Sequence, residues 1–335
     1  MIDASARAFE KGRRMSPETA RTALTQYFGL LREQGVKTAK IGFSGGEPLL
    51  NWSMVRFCMH EAERLAERCG ITNLIFGLNT NASLVTRGIA RELSRYFIET
   101  VTVGLDGPER VNDSVRVLRN GKGTFSHIMA GLALLRDHLE TPIGVISVLT
   151  HETLPFMQAA FLDFLKQEGA SYLVVEPDLV RFPEVETDTL CDLLISMQRY
   201  GEEIGMEVWG MWLRPSLNFT SGDIPGGRMP MYHCNCQGGG NITITSTGLV
   251  VICPWTSPTF GHVSRLREIL ASKAYGEFIR RRFNTNIQAC RGCSLEGTCD
   301  GGCYVSWDVG DSLGMRCGFY RKITRKLIQE RIGAA

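Results

Sequence analysis

Four cysteines stand in the stretch "CRGCSLEGTCDGGC", Cys290, Cys293, Cys299 and Cys303, at the spacing C-x2-C-x5-C-x3-C. Cys234, Cys236 and Cys253 precede them, with Gly248 between the last two, and Cys317 follows. A C-x2-C pair lets two thiolates reach one metal from a single tight turn. Two separated pairs can complete a tetrahedral zinc site or anchor an iron–sulfur cluster. From the thiols alone both readings stay open. Of the eleven cysteines, the other three are Cys58, Cys69 and Cys191. They lack partners at ligand spacing, and Cys58 falls on an apolar helix face, so all three are expected to be structural.

A second set of residues lies in turns. "FSGGEPLL" carries Gly45, Gly46, Glu47 and Pro48; "NTNAS" carries Asn81; "GLDGP" carries Gly104 and Asp106; "NDSVRVLRNGKGTF" carries Arg116. Taken singly, Gly-Gly is a turn signal and a loop arginine is a solvated charge. Taken in order, they close predicted strands, where barrel sites collect.

The elements that hold these turns alternate. Ser16 and Pro17 predict a helix start, continued by Ala20, Ala23, Leu24, Tyr27, Phe28 and Leu31 and ended at Gly35. Strands are predicted around Ala39 to Phe43 and over "NLIFGL", "TVTVGL", "IGVISVL" and "YLVVEP". Helices are predicted from about Trp52, from Thr86, over 125–138, between the last two strands, and over about 184–203. This alternation predicts an α/β fold, a parallel sheet or barrel. After about Met206 the pattern changes to a hairpin around Gly248 and a glycine- and cysteine-rich segment short of core, which needs metal to fold. The expected domains are 1–205 and 206–335, the second closed by a helix from about Gly318 to Arg331.

Net charge is +2, from 37 basic and 35 acidic residues, so nothing argues for nucleic acid or an anionic membrane. No apolar run has membrane-spanning length, and the first residues lack the apolar core of a signal peptide. A cytoplasmic, reducing location is expected, where clustered thiols bind metal rather than form disulfides.

The cysteine order about Gly248 resembles the SPASM domain, the auxiliary-cluster module of radical SAM enzymes that modify peptides and proteins. The turn motifs resemble the same family, which extends the likeness to roughly residues 13–325. The resemblance implies a partial (β/α)6 TIM-like barrel followed by a small SPASM domain, with two auxiliary [4Fe–4S] clusters. Cys236, Cys253 and Cys303 would serve the first, with Cys234 the nearest candidate for its variable fourth ligand. Cys290, Cys293, Cys299 and Cys317 would serve the second.

It also implies S-adenosylmethionine (SAM) held through Gly45, Gly46, Glu47, Pro48, Asn81, Asp106 and Arg116. Glu47 would face the methionine ammonium and Arg116 its carboxylate. The chain departs from the family at Ala82, where glycine is usual, at Gly104, where serine is usual, and at Asn112, where histidine is usual.

The family's C-x3-C-x2-C signature, which holds the SAM-binding [4Fe–4S] cluster, does not occur in these residues. The resemblance puts that loop and a first strand ahead of the first helix. They are therefore expected before Met1, and the third cluster only with them. The function implied is oxidative maturation of a ribosomally made peptide or of a protein, with flavodoxin or ferredoxin as reductant. The alternatives are a non-catalytic homologue that keeps its auxiliary clusters, a sulfatase-maturing enzyme, and a structural zinc protein. Sulfatase maturases carry an aspartate after the cysteine equivalent to Cys253; Pro254 stands there.

Overall fold

The computed structural model describes residues 13–333 except 119, 180–186, 221–233, 235, 237, 254–257, 283–285, 300 and 304–312. The described residues fall into two compact units. One is drawn from 1–76, 231–293 and 300–305, the other from 77–230, 294–299 and 306–335.

In the first unit, helix α1 (Pro17–Glu33) starts where the sequence expects. Ser16 Oγ accepts the Thr19 amide at 3.1 Å, and Ala20, Leu24 and Phe28 form its buried stripe. Strand β1 (Thr38–Phe43) leads through a 3-10 turn at Pro48–Asn51 into α2 (Trp52–Cys69), which packs on α1. Strand β2 (Asn73–Thr80) follows after Gly70, which ends α2 in the left-handed conformation that favours glycine.

The second unit continues with α3 (Arg87–Leu93), β3 (Ile98–Gly104), α4 (Glu109–Val115), α5 (Phe125–His138), β4 (Ile143–Leu149), α6 (Ala159–Gln167), β5 (Tyr172–Pro177), α7 (Thr187–Ile204), β6 (Glu207–Trp209) and α8 (Arg214–Thr220). The six strands form one sheet in sequential order, β1-β2-β3-β4-β5-β6. The pairs β3–β4, β4–β5 and β5–β6 are parallel. The sheet bears out the α/β reading and the five predicted strands. It adds β6, whose three residues are too short to show a period.

Register decides which side chains share a face. In parallel pairing, partners point the same way and neighbours along a strand alternate. Gly104 pairs with Ile146, Ile146 with Val174, Val174 with Trp209, and Val148 with Glu176. Those residues therefore share one face. Val103, Val145, Leu173 and Val208 line the other and are buried.

The remaining elements of the first unit are a two-stranded antiparallel hairpin, β7 (Thr243–Ile244) and β8 (Val250–Val251), and the short helices α9 (Leu266–Leu270) and α10 (Lys273–Arg281). Gly248 turns the hairpin at φ +83°. A Cβ there would lie 2.4 Å from His262 Nε2, so glycine is required twice over. The closing helix, α11 (Leu313–Gly333), belongs to the second unit and packs on α7; it starts earlier than expected.

Candidate functional site

The hairpin positions thiols. Gly238 and Gly239 donate their amides to the carbonyls of Cys234 and Cys236, each at 3.1 Å, which winds the two cysteines into one turn. The hairpin then returns the chain so that Cys253 follows β8. Cys236 lies within hydrogen-bonding reach of Cys234, Cys253 and Asn241. Cys234 pulls its pKa down, Cys253 and burial push harder the other way, and the thiol ends above its usual value. Three of the four thiols expected at the first auxiliary site are thus neighbours. The fourth, Cys303, is half-buried in the same unit.

Cys290 and Cys293 share a second turn. The Cys293 amide donates to the Cys290 carbonyl at 3.1 Å, and Gly292 takes φ +72° between them. Cys299 and Cys317 belong to the other unit. Cys299 closes a turn through its amide to the Leu295 carbonyl at 3.0 Å, and Cys317 lies on α11. Among the described residues, no group of three or more His, Cys, Asp or Glu is placed to hold a single metal ion. A cubane cluster asks for a different donor set, one thiolate on each of four irons. The Cys234, Cys236 and Cys253 thiols gathered at the hairpin, free of disulfides, fit that demand.

The isolated cysteines behave otherwise. Cys58 and Cys191 are buried, and burial pushes their thiols up to about 11 and about 12. They stay protonated at neutral pH and serve the core.

At the end of β1, Gly45 adopts φ +142°, and a Cβ on Gly45 or Gly46 would meet nothing within 4 Å. The backbone there is open to a close approach. Glu47 Oε1 accepts the Leu49 amide at 3.0 Å and so caps the turn that Pro48 begins.

In the second unit, Asn81 Oδ1 accepts from the Ser83 amide at 3.0 Å and its hydroxyl at 2.7 Å, while Ala82 takes φ +57°. Alanine thus takes a left-handed turn where the resemblance leads one to expect glycine. Gly131 of α5 makes room for the Ala82 carbonyl, which a Cβ would meet at 2.0 Å.

Arg116 is the most constrained of the expected residues. Its Nε donates to Asp106 Oδ2 at 2.7 Å. Asp106 is buried, and its other oxygen accepts the Val148 amide at 2.9 Å. Both oxygens are engaged within the protein. Arg116 Nη1 and Nη2 have no partner among the described residues. They lie 3.1 and 3.2 Å from where a Cβ of Gly104 would be.

The segment holding Arg116 is a polar lock that sequence reasoning missed. Asn112 is fully buried. Its Oδ1 accepts the Asp106 amide, and its Nδ2 donates to Asp113 and Thr124. Asp113 Oδ1 accepts the amides of Thr124 and Phe125, both at 2.8 Å, and so satisfies the start of α5. Thr124 donates to the Arg116 carbonyl at 3.0 Å. The motif "NDSVRVLRNGKGTF" is thereby explained as the frame for one guanidinium.

Glu176 was also missed. It lies at the C-terminal end of β5 on the face it shares with Gly104 by register. Its Oε1 accepts the Met211 amide at 2.9 Å. Burial raises its carboxyl to about 7 against the pull of that amide.

Residues 5–160 match the radical SAM superfamily model, and 234–294 match that of SPASM, an iron–sulfur cluster-binding domain. Among curated proteins the chain is similar to the radical SAM cyclopropyl synthase TigE of Paramaledivibacter caminithermalis, 25% identical over 96% of this chain and 66% of that protein. It thus spans about two thirds of that relative's length. It is also similar to the serine-type anaerobic sulfatase-maturating enzyme of Klebsiella pneumoniae, 24% identical over 86% of this chain and 73% of that protein. Among solved structures it resembles native anSMEcpe with bound AdoMet, with a TM-score of 0.76 at 17% identity, covering 96% of this chain and 91% of that one. That likeness shows the fold.

Proposed function

Because this chain belongs to the radical SAM superfamily and carries a SPASM iron–sulfur domain, we propose that it matures a peptide or a protein by oxidative radical chemistry. The observation that carries this reading is the meeting of Cys234, Cys236 and Cys253 at one hairpin, in a chain whose strand ends carry the turn motifs. Two auxiliary [4Fe–4S] clusters are assigned to the residues 206–335. Cys236, Cys253 and Cys303, with Cys234, hold one; Cys290, Cys293, Cys299 and Cys317 hold the other. A third, SAM-binding [4Fe–4S] cluster, only where a C-x3-C-x2-C motif is present to hold it, would supply the radical chemistry by which a hydrogen atom is taken from the substrate.

The chain's own residues do the rest. The open backbone at Gly45 and Gly46, with Glu47 and Pro48, receives the methionine ammonium. Arg116, oriented by Asp106, receives the carboxylate through its two Nη groups, and Asn81 shapes the neighbouring turn. A relative that matures sulfatases and an anSMEcpe structure with a bound Cp18Cys peptide support a peptide or protein substrate. Pro254, in place of the aspartate of sulfatase maturases, favours ribosomal-peptide modification over sulfatase maturation. Flavodoxin or ferredoxin would supply electrons in the cytoplasm.

Anaerobic reconstitution tests the cluster assignment: about eight iron per chain are expected, four for each cubane. Stoichiometric zinc with no iron uptake would overturn it. Co-expression of the full gene with short neighbouring reading frames tests the substrate class, read as hydrogen loss in the mass of the encoded peptide.

A further inference from the structure

Tyr275 carries a phenolic hydroxyl that the fold buries and leaves unpartnered. The residue is 8% exposed, and its Oη has no hydrogen-bond partner among the described residues. Burying such a group is unfavourable unless something else takes the hydrogen bond. The ring is not free to leave. Its backbone amide donates to Ser272 Oγ, the cap of α10, at 3.2 Å. The Phe260 ring packs against it edge-on, with centroids 5.3 Å apart.

The hydroxyl points at the cysteine turn. A Cβ on Gly239 would lie 3.3 Å from Oη and also 3.3 Å from Ile279, so the hydroxyl closely approaches the turn at this glycine. Gly239 is the residue whose amide bonds the Cys236 carbonyl.

Resting on the cluster assignment above, we propose that Tyr275 donates a hydrogen bond to a sulfur of the iron–sulfur cluster held by Cys236 and Cys253. A phenol O–H is a donor, and a thiolate or sulfide bound to iron is an acceptor that gains negative charge on reduction. Such a bond therefore favours the reduced cluster, one of the ways a protein sets the potential. Tyr275 is a positioning and tuning residue of the cluster.

The test is Tyr275→Phe in the anaerobically reconstituted full chain. Phenylalanine keeps the ring and its contact with Phe260, so iron and sulfide content should match the wild type. The midpoint potential of one cluster should fall, by about tenfold in the reduction equilibrium, or about 59 mV for one electron. In the wild type, an iron–thiolate stretching band in the resonance Raman spectrum should shift in deuterated water, and in the variant it should not. Equal potentials and equal isotope responses would overturn the donor role. Loss of iron in the variant, or a tyrosinate-to-iron absorption band in the wild type, would overturn it by making Tyr275 a ligand. No iron uptake by the wild type would overturn the cluster assignment itself.

Discussion

Replacing Glu176 with glutamine should change how stability depends on pH. Burial lifts this carboxyl from 4.5 to about 7, and the single bond from the Met211 amide does not reverse that. Below about pH 4.5 the carboxyl is protonated in both the folded and unfolded states, and its burial costs no charge. Above about pH 7 it is ionised in both, and the folded state bears the whole cost. Between those values the folded state binds more protons, so stability falls as pH rises. A rise of about 2.5 pH units corresponds to about 3 kcal/mol at 1.36 kcal/mol per unit, a ceiling because the residue is only half-buried.

Glutamine keeps the oxygen that accepts the Met211 amide and removes the charge. Urea unfolding of the wild type and Glu176→Gln, followed anaerobically from pH 5 to pH 8, should diverge. The variant should gain about 2 kcal/mol relative to the wild type across that interval. Every other titratable group is common to the two proteins and cancels from the difference. A stability difference that stays flat, or narrows as pH rises, would refute the reasoning.

Three further variants probe the guanidinium. Arg116→Ala should weaken SAM binding about 10- to 150-fold by calorimetry, the range of a charge-assisted hydrogen bond of about 1.5–3 kcal/mol. Arg116→Ala with Asp106→Asn removes the buried charge left behind and should bind SAM as weakly while recovering stability. Gly104→Val should displace the guanidinium and match the affinity loss of Arg116→Ala with Arg116 still present, measured by the same titration.

Legibility from the sequence followed the range of the interactions involved. The long helices and buried strands declare themselves through their own period, as with Ile128, Leu132 and Leu135 on α5. The short elements do not: α4 spans Glu109–Val115 and β6 spans Glu207–Trp209, and only their packing defines them. The cysteines were legible because a thiol's chemistry and spacing survive without context. Asp106, by contrast, meets Val148 across 42 residues, and no local pattern marks such a pair. Tyr275 looks like any core aromatic until its hydroxyl is found without a partner. Glu176 looks like a strand-end charge until its burial is known.

Gly104 shows how a departure from a family pattern can be misread when residues are taken one at a time. In sequence, glycine in place of serine is a lost hydrogen bond to a ligand. In the structure, the missing side chain is the space that Arg116 occupies, with Nη1, Nη2 and Cζ at 3.1, 3.2 and 3.3 Å from the position of a Cβ. Contacts that close are tighter than ordinary packing, so a side chain there would have to push the guanidinium aside. The guanidinium resists, because Nε is bonded to a buried carboxylate and the backbone of Arg116 is tied to Asn112 and Thr124. The strand end thus presents a positive charge that is already oriented before any ligand arrives. Two Nη groups in a planar fork match a carboxylate better than one hydroxyl does. Glycine at 104 and arginine at 116 are therefore one feature, and a test of either is a test of both.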